Sequence, residues 1–111
     1  MARKKLDVLQ GTLDLLILRT LQWGPQHGHG IGQAIRAKSD DLLQLEHGSL
    51  YPALHRLRRS GWIDSQWGVT ENNQRAKFYR LTSAGKKQLS LEESKWNLFV
   101  KTVAKVLLPQ E

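Results

Sequence analysis

The chain reads as mainly α with a two-stranded β-hairpin, in the order α-α-α-β-β-α, and three observations lead there. Apolar residues recur at three- and four-residue spacing over four stretches, the signature of helices with one buried face. That spacing gives way to strict alternation in one region only, residues 62–81, where two alternating runs flank a polar loop. The last stretch, residues 83–107, keeps its helical spacing for roughly 37 Å at 1.5 Å per residue, more apolar helix than a small head can cover.

Residues 6–23 predict the first helix. Leu9, Leu13, Leu16 and Ile17 form one apolar stripe, and Leu15, Leu18 and Leu21 widen it. A helix apolar over so much of its girth is buried on more than one side, which predicts a core on one face and a second subunit on the other. Thr12 and Asp14 offer an alternative cap, and Gly24-Pro25 ends the helix. Residues 24–30, GPQHGHG, read as a turn leading into a second helix over 28–38, with Ile31, Ala34 and Ile35 inward. Its two histidines are too few to hold a metal, and no cysteine or acid adjoins them, so no metal site is expected. Ser39, Asp40 and Asp41 stop that helix, and residues 42–45, LLQL, form a short apolar linker with the look of an extended turn or small strand.

The third helix begins near Ser49. Leu50, Ala53, Leu54 and Leu57 make its buried stripe, while Tyr51, Pro52, His55, Arg56 and Arg59 point the other way with Arg58 on the flank. Ser49 is the expected N-cap, because its hydroxyl can accept a free amide hydrogen of the first turn. Pro52 is expected in that first turn and Gly61 at the stop. An aromatic, basic face of this size suits a DNA groove; a solvated basic surface is the other reading. In the hairpin, Ile63, Ser65 and Trp67 share one face, and so do Lys77, Tyr79 and Leu81. Trp62 and Trp67 are expected to pack, and the loop end carries Arg75 and Lys77. Thr82 caps the long last helix, whose seam runs Leu89, Trp96, Phe99, Val103 and Val106, in coiled-coil-like steps.

Length and charge narrow the function. At 111 residues the chain is one domain by size. Seventeen Lys and Arg against ten Asp and Glu give +7, which points to a polyanionic partner. There is no cysteine, hence no disulfide, thiolate metal site or thiol nucleophile. The longest apolar run, residues 15–18, is far below the roughly 18 residues that span a bilayer. No leader peptide is evident, so a cytoplasmic location is expected, with residues 1–5 as a frayed arm. No nucleophile–base set, phosphate loop or paired carboxylates suggest an enzyme, and no cofactor is expected.

Two helices, a linker and a basic third helix, followed by a hairpin, make a winged helix-turn-helix. In that arrangement the third helix enters the major groove and the wing tip approaches the adjacent minor groove or backbone. The residues also resemble the PadR family of transcriptional regulators, in its short form with one C-terminal helix. The resemblance lies in GTLDLLIL (11–18), GPQHGHGI (24–31), GSLYPALHRLRRSGWI (48–63) and RAKFYRLTSAGKKQL (75–89), nearly the whole chain. It implies a homodimeric repressor on a partly palindromic operator, with the last helix and helix one supplying the dimer contacts. The family often has Tyr where His29 stands here, and Glu or Lys where Arg58 and Arg59 stand.

The expected division is a DNA-binding unit over 1–82 and a dimerisation helix over 83–111. DNA contact is expected from Ser49, Tyr51, Pro52, His55, Arg56, Arg59, Arg75 and Lys77. Dimer contact is expected from Leu9, Leu13, Leu89, Trp96, Phe99, Val103 and Val106. Paired Trp96 rings suit a small aromatic effector, and the resemblance makes such an inducer plausible; a plain interface anchor is the simpler role. The competing class is a protein–protein adaptor on the same fold, for which a neutral or acidic third helix would be the mark. A membrane-surface role would need a strongly amphipathic basic helix.

Overall fold

A computed structural model describes residues 6–7 and 10–109. The elements run β1 (Leu6–Asp7), α1 (Gln10–Gln22), β2 (Gln26–His27), α2 (Gly28–Lys38), β3 (Leu43–Gln44), α3 (His47–Arg59), β4 (Ile63–Val69), β5 (Arg75–Leu81) and α4 (Ser83–Leu107). This is the winged helix-turn-helix order, with two small additions. Residues 6–7 are extended rather than helical and pair in parallel with the linker strand, Leu6 opposite Leu43. Gln26 and His27 are a strand rather than a turn and pair antiparallel with β5, so the wing is rooted in a three-stranded sheet of order β2-β5-β4.

The core forms where four helices and the hairpin base meet. Leu13, Ile17, Leu18 and Leu21 come from α1, Ile31 and Ile35 from α2, and Leu50, Ala53, Leu54 and Leu57 from α3. Ile63 and Leu81 close it from the sheet, and Leu89 from α4. This corrects two expected interface positions. Leu13 and Leu89 are each only 2% exposed within one chain, so the head's own core takes their apolar surface. Leu9 lies outside the described residues.

Three local details explain how the elements are set. The α2 helix starts at Gly28 because the His27 imidazole accepts from the Gly30 amide, 3.1 Å away, a cap supplied by histidine. It stops at Asp40 and Asp41, both in the left-handed region. The α3 helix begins at His47, two residues before the Ser49 start, because the Glu46 carbonyl already accepts from the Ser49 and Leu50 amides. Ser49 is therefore inside the first turn and is not the cap. With the helix starting at His47, Pro52 lies beyond the first turn rather than within it.

The Thr82 cap does more than start α4. Its hydroxyl accepts from the Gly85 amide at 3.0 Å and donates to the Gly61 carbonyl at 2.7 Å, while its amide donates to the Trp62 carbonyl at 3.1 Å. One threonine thus ties the end of α3, the foot of the wing and the start of α4. Beyond Glu93, which Arg19 of α1 reaches at 3.5 Å, α4 leaves the head. From Ser94 to Leu108 every residue but Ala104 is exposed.

Candidate nucleic-acid interface

At about 100° per residue, the buried residues of α3 occupy one arc and leave the opposite arc free. Gly48, Pro52, His55 and Arg59 follow one another along the middle of the free arc, and all four are exposed. Tyr51 and Arg58 line the edge toward the wing. Ser49 and Arg56 line the edge toward α1. The sequence-predicted residues of this helix are therefore brought onto one surface, with Arg56 set apart. Its guanidinium meets the Asp14 carboxylate of α1 at 2.6 Å, so in the free protein it braces α3 against α1.

The wing-side edge is built from several elements. The Tyr51 ring lies over Gly28 so closely that a Cβ there would come within 2.8 Å of it. That contact explains glycine at the first residue of α2. Arg58 donates to the Ser65 hydroxyl of β4 at 3.2 Å. Tyr79 of β5 faces the same edge. Burial pushes its phenol up from the ordinary 10.0, the Arg58 guanidinium offsets part of this, and Tyr51 adds to the rise. The hydroxyl is a hydrogen-bond donor through the physiological range. The folded chain holds this proton more tightly than the unfolded chain does. Its contribution is thus full below pH 10.0 and is lost as pH climbs through the raised folded value. Tyr79→Phe is expected to flatten the alkaline fall in stability, read as urea midpoints at about pH 9 and about pH 11.

Between the start of α2, Tyr51 and the wing runs an open cleft of about 760 Å³. His27, His29 and Gln33 line one wall, and Asn72, Gln74, Arg75 and Lys77 the other. The wing tip over it is tied rather than loose. Thr70 donates its amide to the Gln74 carbonyl at 2.8 Å, and its carbonyl accepts from the Asn73 amide at 2.9 Å. At the base of the wing, Asp64 and Arg80 form a two-bonded ion pair across the strands. That hydrogen bond and charge push the Arg80 guanidinium further up. The cleft walls carry Arg75 and Lys77, and Arg58 and Arg59 stand on the adjoining helix. Among the described residues no three histidine, aspartate or glutamate side chains converge as a metal site, and no helix is long and apolar enough to cross a membrane.

Residues missed from the sequence are Tyr79, Arg58 as a bridge to the wing, and Gln33. The alternation of FYRL placed Tyr79 beside Lys77, and that was the available signal. Trp67 was expected to pack, yet it is 57% exposed, because β4 runs past the edge of the helical head before reaching it. Trp62, one strand-length nearer the base, does pack on the core.

A basic helix framed by a helix start and a wing defines a transcription-factor class, the winged helix-turn-helix regulators. The chain matches the Transcriptional regulator PadR-like family over residues 17–91. A transcriptional regulator from Clostridium thermocellum has 33% identity and a TM-score of 0.81, over 89% of this chain and 96% of that one. A PadR family transcription regulator from Clostridium difficile has 29% identity and a TM-score of 0.72, over 87% of this chain and 98% of that one. An uncharacterized protein of Lysinibacillus sphaericus is 31% identical over 90 residues, 81% of this chain and 83% of that protein. The chain belongs to the PadR-like family of transcriptional regulators.

Proposed function

We propose that this regulator is a homodimeric, sequence-specific DNA-binding repressor of a partly palindromic operator. The observation that carries the reading is the single exposed arc of α3, with Pro52, His55 and Arg59 in a row and Tyr51 and Arg58 beside it. Arc and wing are basic together. Base edges in the major groove fall to His55, while Ser49 and Tyr51 at the helix start and Arg59 at its end take backbone phosphates. Arg75 and Lys77 contact the backbone or minor groove from the wing. Arg56 joins only if a phosphate displaces Asp14. An adaptor on this fold would have no use for so basic a third helix.

The head through residue 82 does the reading, and the C-terminal segment over 83–111, which carries α4 (Ser83–Leu107), pairs two heads. Support for pairing lies in the apolar seam past the head. Trp96, Phe99, Val103 and Val106 are 41%, 61%, 36% and 81% exposed, with the exposed Val100 and Leu107 beside them. So much apolar surface on one helix is costly in water and suits a second copy of the same seam. Trp96 lies against Phe99 with ring centroids 6.2 Å apart. Two such pairs across a two-fold axis would give a flat aromatic effector a stacking slot, and binding there would alter the separation of the heads.

Arg59→Gln tests the phosphate assignment. It is expected to weaken binding to duplex DNA of every sequence and to lower the slope of log K against log salt by about one unit. Titration at several salt concentrations reads both. An unchanged slope removes Arg59 from the phosphate contacts.

A further inference from the structure

Trp67 is an exposed aromatic that this reading leaves without a role. Trp67 lies on β4 directly opposite Lys77, and Val69, two residues on, lies opposite Arg75. By strand alternation all four side chains share one face of the wing. The Arg75 guanidinium carbon is 4.8 Å from the Trp67 ring centroid, and the Lys77 ammonium nitrogen is 5.5 Å from it. Two cations spaced two residues apart on one strand repel each other, and both are long chains with much rotamer freedom to lose. An indole face attracts each of them and fixes both against one flat surface.

We infer that Trp67 is a positioning residue for DNA recognition. It gathers Arg75 and Lys77 into one preformed, doubly charged clamp on the wing, aimed at the phosphate-bearing edge of the duplex. The inference rests on the DNA-binding reading above and adds a residue to it. Holding the two cations in place before binding lowers the ordering cost of making the contact. The tied loop from Thr70 to Gln74 gives the clamp a firm support.

The test uses the full chain and a mixed-sequence DNA duplex about three helical turns long at low salt, because backbone contacts need no particular sequence. Trp67→Ala is expected to weaken binding about tenfold and Trp67→Phe by less. In an Arg75→Gln, Lys77→Gln background, Trp67→Ala is expected to cost nothing further. Trp23→Ala is the control. That ring is also exposed and also carries two cations, Arg19 at 5.5 Å and Lys38 at 4.8 Å, but it sits at the far ends of α1 and α2, and its loss should leave affinity unchanged. In the free protein, NMR should find the side-chain protons of Arg75 and Lys77 shifted upfield by the ring, and the shift gone in Trp67→Ala. An equal loss in both backgrounds would mean that Trp67 touches DNA itself, which overturns the positioning role. Full affinity in Trp67→Ala, or no ring shift in the wild type, overturns it too. These three results leave the DNA-binding reading intact. If the wild type fails to bind the duplex at all, that reading falls and takes the clamp with it.

Discussion

Gly85→Ala is expected to destabilise the protein by about 3 kcal/mol, at the upper end of what overpacking costs. The reason is geometric. A Cβ at Gly85 would come within 1.9 Å of the Trp62 carbonyl oxygen and 2.9 Å of a Leu81 methyl. A flexible side chain could swing aside, but this neighbour is backbone. Moving the Trp62 carbonyl also strains its bond with the Thr82 amide, and with it the junction of α3, wing and α4. Gly32→Ala in α2 is the contrasting case. Its Cβ would meet only Leu50, at an ordinary 3.9 Å, so the gain in helix propensity should prevail, by about 0.5–1 kcal/mol. Urea unfolding at one fixed protein concentration measures both, since any dimer makes midpoints depend on concentration. A wild-type midpoint for Gly85→Ala would mean that α4 does not approach the wing foot this closely.

Phe99→Glu is expected to have the largest effect on function while leaving the head folded. Phe99 is 61% exposed in one chain and touches none of the core residues of the head. Placing a charge in the proposed seam puts like charges at or near the two-fold axis, and the long helices should separate. A lone head then loses the gain from binding its second half-site as part of one molecule, a factor of about 100 or more in operator affinity. Sedimentation should find a monomer with wild-type helix content, and weak binding to a single half-site should persist at low salt. A Phe99→Glu protein that stays dimeric would move the interface elsewhere.

The sequence was legible where structure is set locally. The spans of α2 and α4 follow from short-range signals: a turn-rich start, Ser39-Asp40-Asp41 at one end, and Thr82 before a long periodic run. The two faces of each hairpin strand were legible from alternation, but their pairing, with Ile63 opposite Leu81 and Trp67 opposite Lys77, was not, because a two-residue slip keeps the same faces. What escaped depends on partners distant in the chain. Two residues, Gln26 and His27, carry no alternation to read, and their strand exists because Tyr79 and Phe78 pair with them. The true start of α3 is fixed by the Glu46 backbone carbonyl, which composition does not reveal.

The same limit shaped the candidate site. That Tyr51, Pro52, His55 and Arg59 share one free face follows from helical spacing. That Arg56 turns to Asp14, 42 residues earlier, does not. Leu13 and Leu89 belong to helices with apolar residues on two sides, and spacing alone does not say which side the head takes. Trp67 shares its strand face with buried Ile63, yet that face is covered at the base of the wing and open toward the tip.

Two copies of this chain are proposed to read DNA as a symmetric pair, each through the free arc of α3 and the wing beside it. Footprinting of the upstream DNA of its own gene by the wild-type protein, at physiological salt, tests it most directly. Two protected half-sites related by partial two-fold symmetry are expected, with centres about one helical turn, roughly 34 Å, or a multiple of it apart. Absence of any protected segment, or a single unpaired one bound by a monomer, would contradict it.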